Sequence, residues 1–194
     1  MSDGTGAGLQ GKGQSDSWAS LTAENFHEFF IRYSKPVLSF IYAMIQDRPN
    51  AEELCQETFI RAFRRLDSRN DRGTPSTWLF GIARNVIREA VKNKYRDSRQ
   101  VALDDRLAGR LNSNLASADQ QLISEELHNR IRDSLGTLTE DQRLAFILKL
   151  IHKLKYEEIA GITGASIPKI KIDLHRARLE MRRNLRSYLQ RESV

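Results

Sequence analysis

Four basic residues recur at every fourth position in one segment of the chain: Arg84, Arg88, Lys92 and Arg96. In a helix this spacing places them in one row, where neighbouring like charges repel each other by roughly a few tenths of a kcal/mol per pair. A phosphate backbone converts that repulsion into attraction, because the bound cations release counterions from the nucleic acid. The row therefore indicates a nucleic-acid contact.

Two further side chains near this row have the chemistry of base recognition. The indole of Trp78 can stack on a base, and the amide of Asn85 can hydrogen-bond to a base edge. A solvated basic face beside a core tryptophan explains the same residues. The residues of this segment leave both interpretations open.

A second basic cluster lies in the C-terminal part of the chain. Tyr156 to Ile162 has the length of a short helix, residues 163–165 form a Gly-containing turn, and Ser166 can cap a last helix, so the pattern predicts a helix-turn-helix. Such a helix presents its N-terminal half to the major groove, which places Lys171, His175 and Arg176 near base edges. The alternative is a helical hairpin that only packs. The predicted outward residues are Lys169, Lys171, Ile172, Asp173, His175, Arg176, Arg178 and Arg182.

A third candidate surface is polar and of mixed charge. A helix is predicted to begin at Asn50, whose side chain can cap it. Its face away from the aromatic residues carries Glu52, Glu53, Gln56, Glu57 and Arg61. Acidic residues near a helix start stabilise it through the macrodipole, which is one explanation. Docking on a basic protein surface is the other.

Residues suited to catalysis are few and scattered. The histidines His27, His128, His152 and His175 have no metal-ligand partner at i+4, and there is no Gly-rich phosphate loop. The single cysteine, Cys55, falls on an apolar stripe and is predicted to be buried. We therefore predict no catalytic residue, no metal and no cofactor.

Composition sets the class of protein that carries these residues. The chain has 194 residues, 40% of them hydrophobic and 29% charged, with a net charge of +6 and a pI near 9.6. These values are typical of a globular protein that attracts polyanions. One cysteine, the lack of a leader-like segment and the lack of a long apolar run predict a cytoplasmic protein without membrane insertion.

The periodicity of apolar residues predicts an all-α fold. Pro36 is expected to kink or divide the first apolar run, and Thr74 and Pro75 are expected to begin a helix that runs to about Arg96. The buried stripe of that helix is predicted to be Leu79, Ile82, Ala83, Val86 and Ala90. Thr139 is expected to cap a helix that turns its apolar side chains inward. The inward residues of that helix are predicted to be Leu144, Ile147, Leu148 and Ile151.

Shifts in composition predict two small helical domains joined by a flexible linker. Gly-rich residues 1–20 are predicted to be a disordered tail, 21–97 a first domain, 98–121 the linker and 122–194 a second domain.

Three segments, in order, resemble the sigma-70 family, and specifically its extracytoplasmic-function (ECF) sigma factors. Residues 51–64 (AEELCQETFIRAFR) look like region 2.2, and residues 77–85 (TWLFGIARN) look like regions 2.3 and 2.4. Residues 138–143 (LTEDQR), 156–160 (YEEIA) and 174–178 (LHRAR) look like region 4. The likeness extends from about Thr22 to Leu189. It implies a bundle of region 2 helices and a region 4 helix-turn-helix.

The resemblance also implies partners. Glu53, Gln56, Glu57 and Arg61 would bind the clamp helices of the largest subunit of bacterial RNA polymerase core. The second domain would contact the flap of the second-largest subunit, and the linker would pass through the RNA channel. An anti-sigma factor would hold the protein inactive.

Promoter DNA would be bound at two places. The loop before the tryptophan helix would capture a flipped base of the minus-ten element, and the last helix would read the minus-thirty-five element. The implied minus-ten residues are Asn70, Asp71, Arg72, Trp78, Arg84, Asn85, Arg88 and Lys92. The implied minus-thirty-five residues are Ser166, Lys169, Lys171, Ile172, His175, Arg176 and Arg178.

The chain departs from the family pattern at the last helix. Pro168 and Lys169 stand where relatives commonly carry a small pair, and Asp173 stands where a basic residue is common. Phosphate repels an acidic side chain, so Asp173 is expected to accept from a cytosine amino group or to pair with Lys169 or Arg176.

Two other functions fit part of this pattern. A stand-alone helix-turn-helix regulator would require a dimerisation surface or a ligand pocket, and the sequence has no visible segment for either. An RNA-binding or scaffolding protein would explain the basic helices but not two separate DNA-reading modules.

Overall fold

The computed structural model describes Trp18 and residues 21–68, 73–100 and 118–191. In this part of the chain the regular elements are all helical and no strand occurs, which confirms the all-α prediction. The elements are α1 (Phe26–Ile45), α2 (Arg48–Arg64), α3 (Pro75–Gln100), α4 (Ala118–Gly136), α5 (Glu140–Phe146), a π-helical turn (Ile147–Ile151), α6 (Tyr156–Thr163) and α7 (Ile167–Arg191).

Helices α1, α2 and α3 pack on one another. Helix α1 continues through Pro36 as one element. Helix α2 begins two residues before the predicted Asn50, because the Asp47 carboxylate accepts a hydrogen bond from the Asn50 backbone N–H at 3.2 Å. Pro49 is compatible with this first turn, where its missing N–H is not needed. The prediction of Asn50 as the cap was therefore wrong.

Helix α3 begins as predicted. The Thr74 hydroxyl accepts from the Thr77 N–H at 3.2 Å, and Pro75 is the first helical residue. The predicted apolar stripe is buried from Leu79 to Val86, but Phe80 and Ile87 are buried as well. Helix α3 therefore has two buried sides, one against α1 and α2 and the other against α6.

A π-helical turn follows α5, whose Thr139 and Gln142 form a capping box. The His152 N–H bonds to the Ile147 carbonyl at 3.1 Å, five residues back, and this wider turn shifts the register of the side chains. The prediction that Ile151 faces inward was wrong, because Ile151 is 45% exposed and His152, only 7% exposed, is buried in its place.

The helix-turn-helix consists of α6, a turn and α7. Gly164 ends α6 in the left-handed conformation with φ 71°, which favours glycine. The Ser166 hydroxyl then accepts from the Lys169 N–H at 3.4 Å, as expected of a cap.

Helices α1–α3 form a first group, and α4–α7 with the π-helical turn form a second. The two groups share one buried core. Helix α3 packs on α6, and α1 packs on α5 and the π-helical turn. Helices occupy both ends of the predicted linker 98–121, and residues 101–117 lie outside the described residues. The tail prediction does not hold for Trp18, whose indole N–H donates to the Gly73 carbonyl at 2.9 Å, and residues 1–17 also lie outside the described residues.

Candidate nucleic-acid interface

Three of the four cations in the α3 row share one open face. Arg88, Lys92 and Arg96 are exposed, and so is Asn85. Their spacing places the three cations on one side of the helix. This face can bind phosphates while it offers one amide to a base.

Arg84 is separated from the other three. Its guanidinium is half-buried, and Nη1 donates to the Ile162 carbonyl at 3.2 Å in the last turn of α6. Burial lowers the pKa of Arg84, and the positive charge of Arg88 lowers it further. In this arrangement Arg84 contacts protein, so a phosphate could reach only the remaining three cations of the row.

Trp78 lies in a small aromatic corner at the start of α3. Its ring meets that of Trp18 edge to face, with centroids 5.6 Å apart. Gly73, to which Trp18 is hydrogen-bonded, has φ 82° and directly follows residues 69–72. The predicted base-capture residues Asn70, Asp71 and Arg72 lie outside the described residues.

The α2 surface contains both free and paired polar groups. Glu53 and Gln56 are exposed. Arg61 bonds to the Glu57 carboxylate at 2.6 Å and to the Glu89 carboxylate of α3 at 2.5 Å. These two hydrogen bonds raise the pKa of Arg61. Arg61 therefore connects α2 to α3, while Glu57 pairs with it within α2. Glu53 and Gln56 are the exposed residues of the predicted docking face.

Helix α7 turns its basic residues outward. Ile170, Leu174, Ala177 and Met181 are buried against α4, α5 and α6, which leaves the opposite face to solvent. The exposed predicted DNA contacts are Ser166, Lys169, Lys171, Ile172, His175, Arg176 and Arg178.

Asp173 is paired within the protein. Its carboxylate accepts from Lys169 Nζ at 2.7 Å, and the same Nζ donates to the Asp141 carboxylate of α5 at 2.6 Å. These two hydrogen bonds raise the pKa of Lys169. Of the arrangements expected for Asp173, the structure contains the pair with Lys169.

Tyr156 is a contact that the sequence analysis missed. Lys149 Nζ lies 4.6 Å and Lys171 Nζ 5.4 Å from the centre of its ring. Both distances suit a cation–π interaction. Helical periodicity does not reveal this contact, since the two lysines belong to other elements. The contact joins Tyr156 at the start of α6 to Lys171 in the N-terminal half of α7.

Cys55 has the structural role that was predicted. It is buried, its thiol contacts the Ser34 carbonyl at 3.8 Å, and burial raises its pKa to about 11. Among the described residues no group of three or more His, Cys, Asp and Glu side chains could hold a metal ion. None of the helices described is long and apolar enough to span a membrane.

Two family models match the chain in the order of its two helical groups. Residues 29–97, which include α2 and most of α1 and α3, match sigma-70 region 2. Residues 128–181, which run from α4 into α7, match a sigma-70 region 4 model.

Similar proteins and similar solved structures agree with these family models. The chain is 30% identical over 162 residues to the ECF RNA polymerase sigma factor SigW of Bacillus subtilis, covering 79% of this chain and 85% of SigW. It is 26% identical to the sigma factor YlaC of the same organism, over 88% of this chain and 98% of YlaC. The fold is similar to that of the sigma factor RpoE in complex with the anti-sigma factor NepR from Bartonella quintana, with a TM-score of 0.68 and 24% identity over 84% of this chain and 98% of RpoE. It is also similar to CnrH in complex with the cytosolic domain of CnrY, with a TM-score of 0.64 and 20% identity over 88% of this chain and 93% of that chain.

Regions 2 and 4 together, with a helix-turn-helix in the second, define a sigma factor of the sigma-70 class. The chain belongs to the ECF sigma factors of that class. It binds RNA polymerase core and directs transcription initiation at promoters, as the sequence analysis predicted. The family consists of initiation factors rather than enzymes, which confirms the prediction that the chain is not an enzyme.

Proposed function

We propose that this sigma factor divides promoter recognition and polymerase binding among three surfaces. The α2 surface docks on the polymerase clamp helices, the start of α3 opens the minus-ten element, and α7 reads the minus-thirty-five element. The observation that carries this proposal is the exposure of Arg88, Lys92 and Arg96 on α3 and of the N-terminal half of α7, one in each matched region.

The assignment of the α2 surface to polymerase docking is supported by its combination of ion-paired and exposed polar side chains. Arg61 is tied to Glu57 and Glu89, so this part of α2 enters a complex already ordered. Glu53 and Gln56 remain exposed for new contacts. Complementary charge across such an interface chiefly increases the association rate and specificity.

Promoter opening is assigned to the tryptophan corner and the α3 row. Base extrusion costs a few kcal/mol, which stacking and hydrogen bonding in a protein pocket must return. Trp78 and Asn85 supply these two interactions, and Arg88 and Lys92 hold the backbone of the opened strand. The loop residues Asn70, Asp71 and Arg72 complete the proposed pocket.

Upstream recognition is assigned to α7. Lys171, His175 and Arg176 are exposed on its N-terminal half, and side chains from this part of a helix-turn-helix reach base edges in the major groove. Ser166, Ile172 and Arg178 flank them. Region 4 also contacts the flap of the second-largest subunit in this proposal.

The anti-sigma factor and the cellular location complete the proposal. The RpoE and CnrH structures are complexes, with the anti-sigma factor NepR and with the cytosolic domain of CnrY respectively. A chain with the same fold is a candidate for similar control by an anti-sigma factor. We place the protein in the cytoplasm, where its polymerase partner and promoters are found.

Run-off transcription with purified core polymerase and a library of promoter fragments tests the proposal. We expect initiation at a defined subset of promoters only when the protein is present. The matched reaction contains core polymerase alone. If the protein binds duplex DNA specifically but neither binds nor redirects core polymerase, a stand-alone regulator is the correct function.

The residue assignment on α7 is tested by Arg176→Ala. We expect weaker binding of the upstream element by about 1–3 kcal/mol, with core binding unchanged. Arg186→Ala, which removes an equal charge from the same helix beyond the region 4 match, is the control. Equal promoter affinities for the Arg176 variant and the unmodified protein would remove Arg176 from the assignment.

A further inference from the structure

One large apolar side chain lies among the polar residues on the open face of α7. Ile172 is 52% exposed, whereas Ile170 and Leu174 on either side of it in the sequence are buried. Helical spacing places Lys169 one turn before Ile172 and Arg176 one turn after it, on the same face of the helix. Ile172 therefore belongs to the surface proposed to face DNA, and not to the core.

The two lysines of this first part of α7 both have partners within the second group of helices. Lys169 Nζ is bound by two carboxylates, one from α5 at 2.6 Å and one from α7 at 2.7 Å. Lys171 Nζ lies 5.4 Å from the centre of the Tyr156 ring, within the range of a cation–π interaction. These contacts hold the ammonium groups on either side of Ile172. Ile172 is left as an exposed side chain between them.

The major groove of DNA offers one apolar substituent to such a side chain. All four bases present hydrogen-bond donors or acceptors there, and thymine also presents its C5-methyl group. Isoleucine cannot satisfy a donor or an acceptor, so contact with one would exclude water and leave that group unpaired. Contact with the methyl group instead removes apolar surface of both partners from water, which is favourable. The side chain of Ile172 is therefore more complementary to thymine than to the other three bases.

We propose that Ile172 is a specificity-determining residue that selects a thymine in the minus-thirty-five element through contact with the C5-methyl group. The inference rests on the proposed function, namely that the N-terminal half of α7 reads this element in the major groove. His175 and Arg176, one turn further along the same exposed face, add polar contacts to bases or phosphates. Ile172 adds a preference for an A·T pair that does not depend on hydrogen bonding.

Leu179 provides a comparison within the same helix. Single exposed apolar side chains are common on folded proteins, so an ordinary surface position is the alternative explanation for Ile172. Leu179 is also 52% exposed and lies two turns, or about 10 Å, further along the same side of α7. Only the N-terminal half of such a helix is presented to the groove. Replacement of Ile172 should therefore change base preference, and replacement of Leu179 should not.

Replacement of thymine by deoxyuridine tests the contact, because it removes the C5-methyl group and keeps the hydrogen-bonding groups of the base. Promoter fragments identified by run-off transcription are prepared with one thymine of the upstream element replaced at a time, on either strand, and with a constant minus-ten element. Competition binding measures the affinity of holoenzyme that contains the full-length protein. We expect one position at which uracil weakens binding about fourfold, which corresponds to about 0.8 kcal/mol for one methyl-sized group.

The variant Ile172→Ala shows whether this loss of affinity belongs to Ile172. The side chain is exposed and alanine favours a helix, so the variant should retain the fold. We expect it to bind the thymine and uracil promoters with equal affinity, because the two changes remove the same contact. Ile172→Val, which keeps a branched apolar side chain, should retain part of the preference for thymine. Leu179→Ala, the matched control, should retain all of it.

Three results would overturn the proposal. One is an upstream element without any A·T pair, and another is equal affinity of the unmodified holoenzyme for thymine and uracil at every position of the element. The third is a uracil effect that persists unchanged in Ile172→Ala. Failure of the proposed function has a different signature, because the unmodified holoenzyme would then not distinguish a promoter fragment from one with a scrambled upstream element.

Discussion

Asp173 accepts a hydrogen bond from Lys169 one turn earlier on α7, with Oδ2 and Nζ 2.7 Å apart. Because Asp141 binds the same Nζ, two carboxylates surround one ammonium group at the start of the helix. Lys169 is therefore less effective as a phosphate contact than its exposure suggests. The acidic departure in α7 reduces the positive charge that this end of the helix presents to DNA.

Replacement of Asp173 tests this relationship. Asp173→Asn removes one of the two carboxylates, so we expect holoenzyme to bind upstream-element duplex more tightly, with a salt dependence steeper by about one phosphate contact. Fluorescence anisotropy at several salt concentrations measures both quantities. Asp67→Asn, an equal change of charge at an exposed position after α2, is the control. A loss of affinity confined to one C·G base pair would show instead that Asp173 reads a cytosine.

The α3 row leads to a prediction about the minus-ten element. Arg88→Ala removes an exposed cation, so we expect weaker binding of forked minus-ten DNA by holoenzyme and a salt dependence smaller by about one contact. Lys35→Ala, which removes an exposed cation from α1, should leave both unchanged. If the two variants behave alike, the α3 face has no special role in DNA binding.

The docking face is best tested at Glu53. Glu57→Lys would also break the pair with Arg61 and so disturb the contact between α2 and α3, whereas Glu53 is exposed. We expect Glu53→Lys to weaken association with core polymerase, measured by competition against labelled sigma factor, without a change in helicity. Glu24→Lys, which makes the same change of charge before α1, is the control. Unaltered core affinity for Glu53→Lys would exclude this residue from the docking face.

His152 predicts a pH dependence of stability. Burial lowers its pKa from 6.5 to about 4, so between these values the unfolded chain binds a proton that the folded chain does not. The contribution of neutral His152 is fully present above about pH 6.5 and is lost as the pH falls towards 4, by about 3 kcal/mol at most. Urea unfolding at pH 7.5 and pH 5 measures the change.

A comparison of variants isolates the contribution of His152 from that of other titrating groups. His152→Leu should reduce the loss of unfolding free energy between the two pH values, while His175→Leu, at an exposed position on α7, should retain it. Identical pH dependence in the His152 variant and the unmodified protein would contradict the prediction.

Local rules predicted much of the fold from sequence. Thr74 with Pro75, Thr139 with Gln142, and Gly164 with Ser166 each begin or end a helix through contacts within a few residues. Such contacts depend only on neighbouring residue types. The Asp47 cap is equally local, and it was missed because Asn50 offered a competing capping side chain.

Features that depend on distant elements escaped prediction. The π-helical turn moves His152 inward and Ile151 outward, and helical periodicity assumes a constant turn. Phe80 is buried because residues far along the chain pack on α3. Arg84 leaves its row for the same reason, since its carbonyl partner belongs to α6. Each of these features requires knowledge of how the two groups of helices meet.

The aromatic corner at the start of α3 gives the protein a built-in optical probe. Its two tryptophans, Trp18 and Trp78, are the only ones in the sequence, and their rings are in contact. The tryptophan fluorescence of the molecule therefore comes entirely from the edge of the proposed base-capture loop. A base that stacks there should quench this emission, so strand opening can be timed by stopped flow without an attached dye.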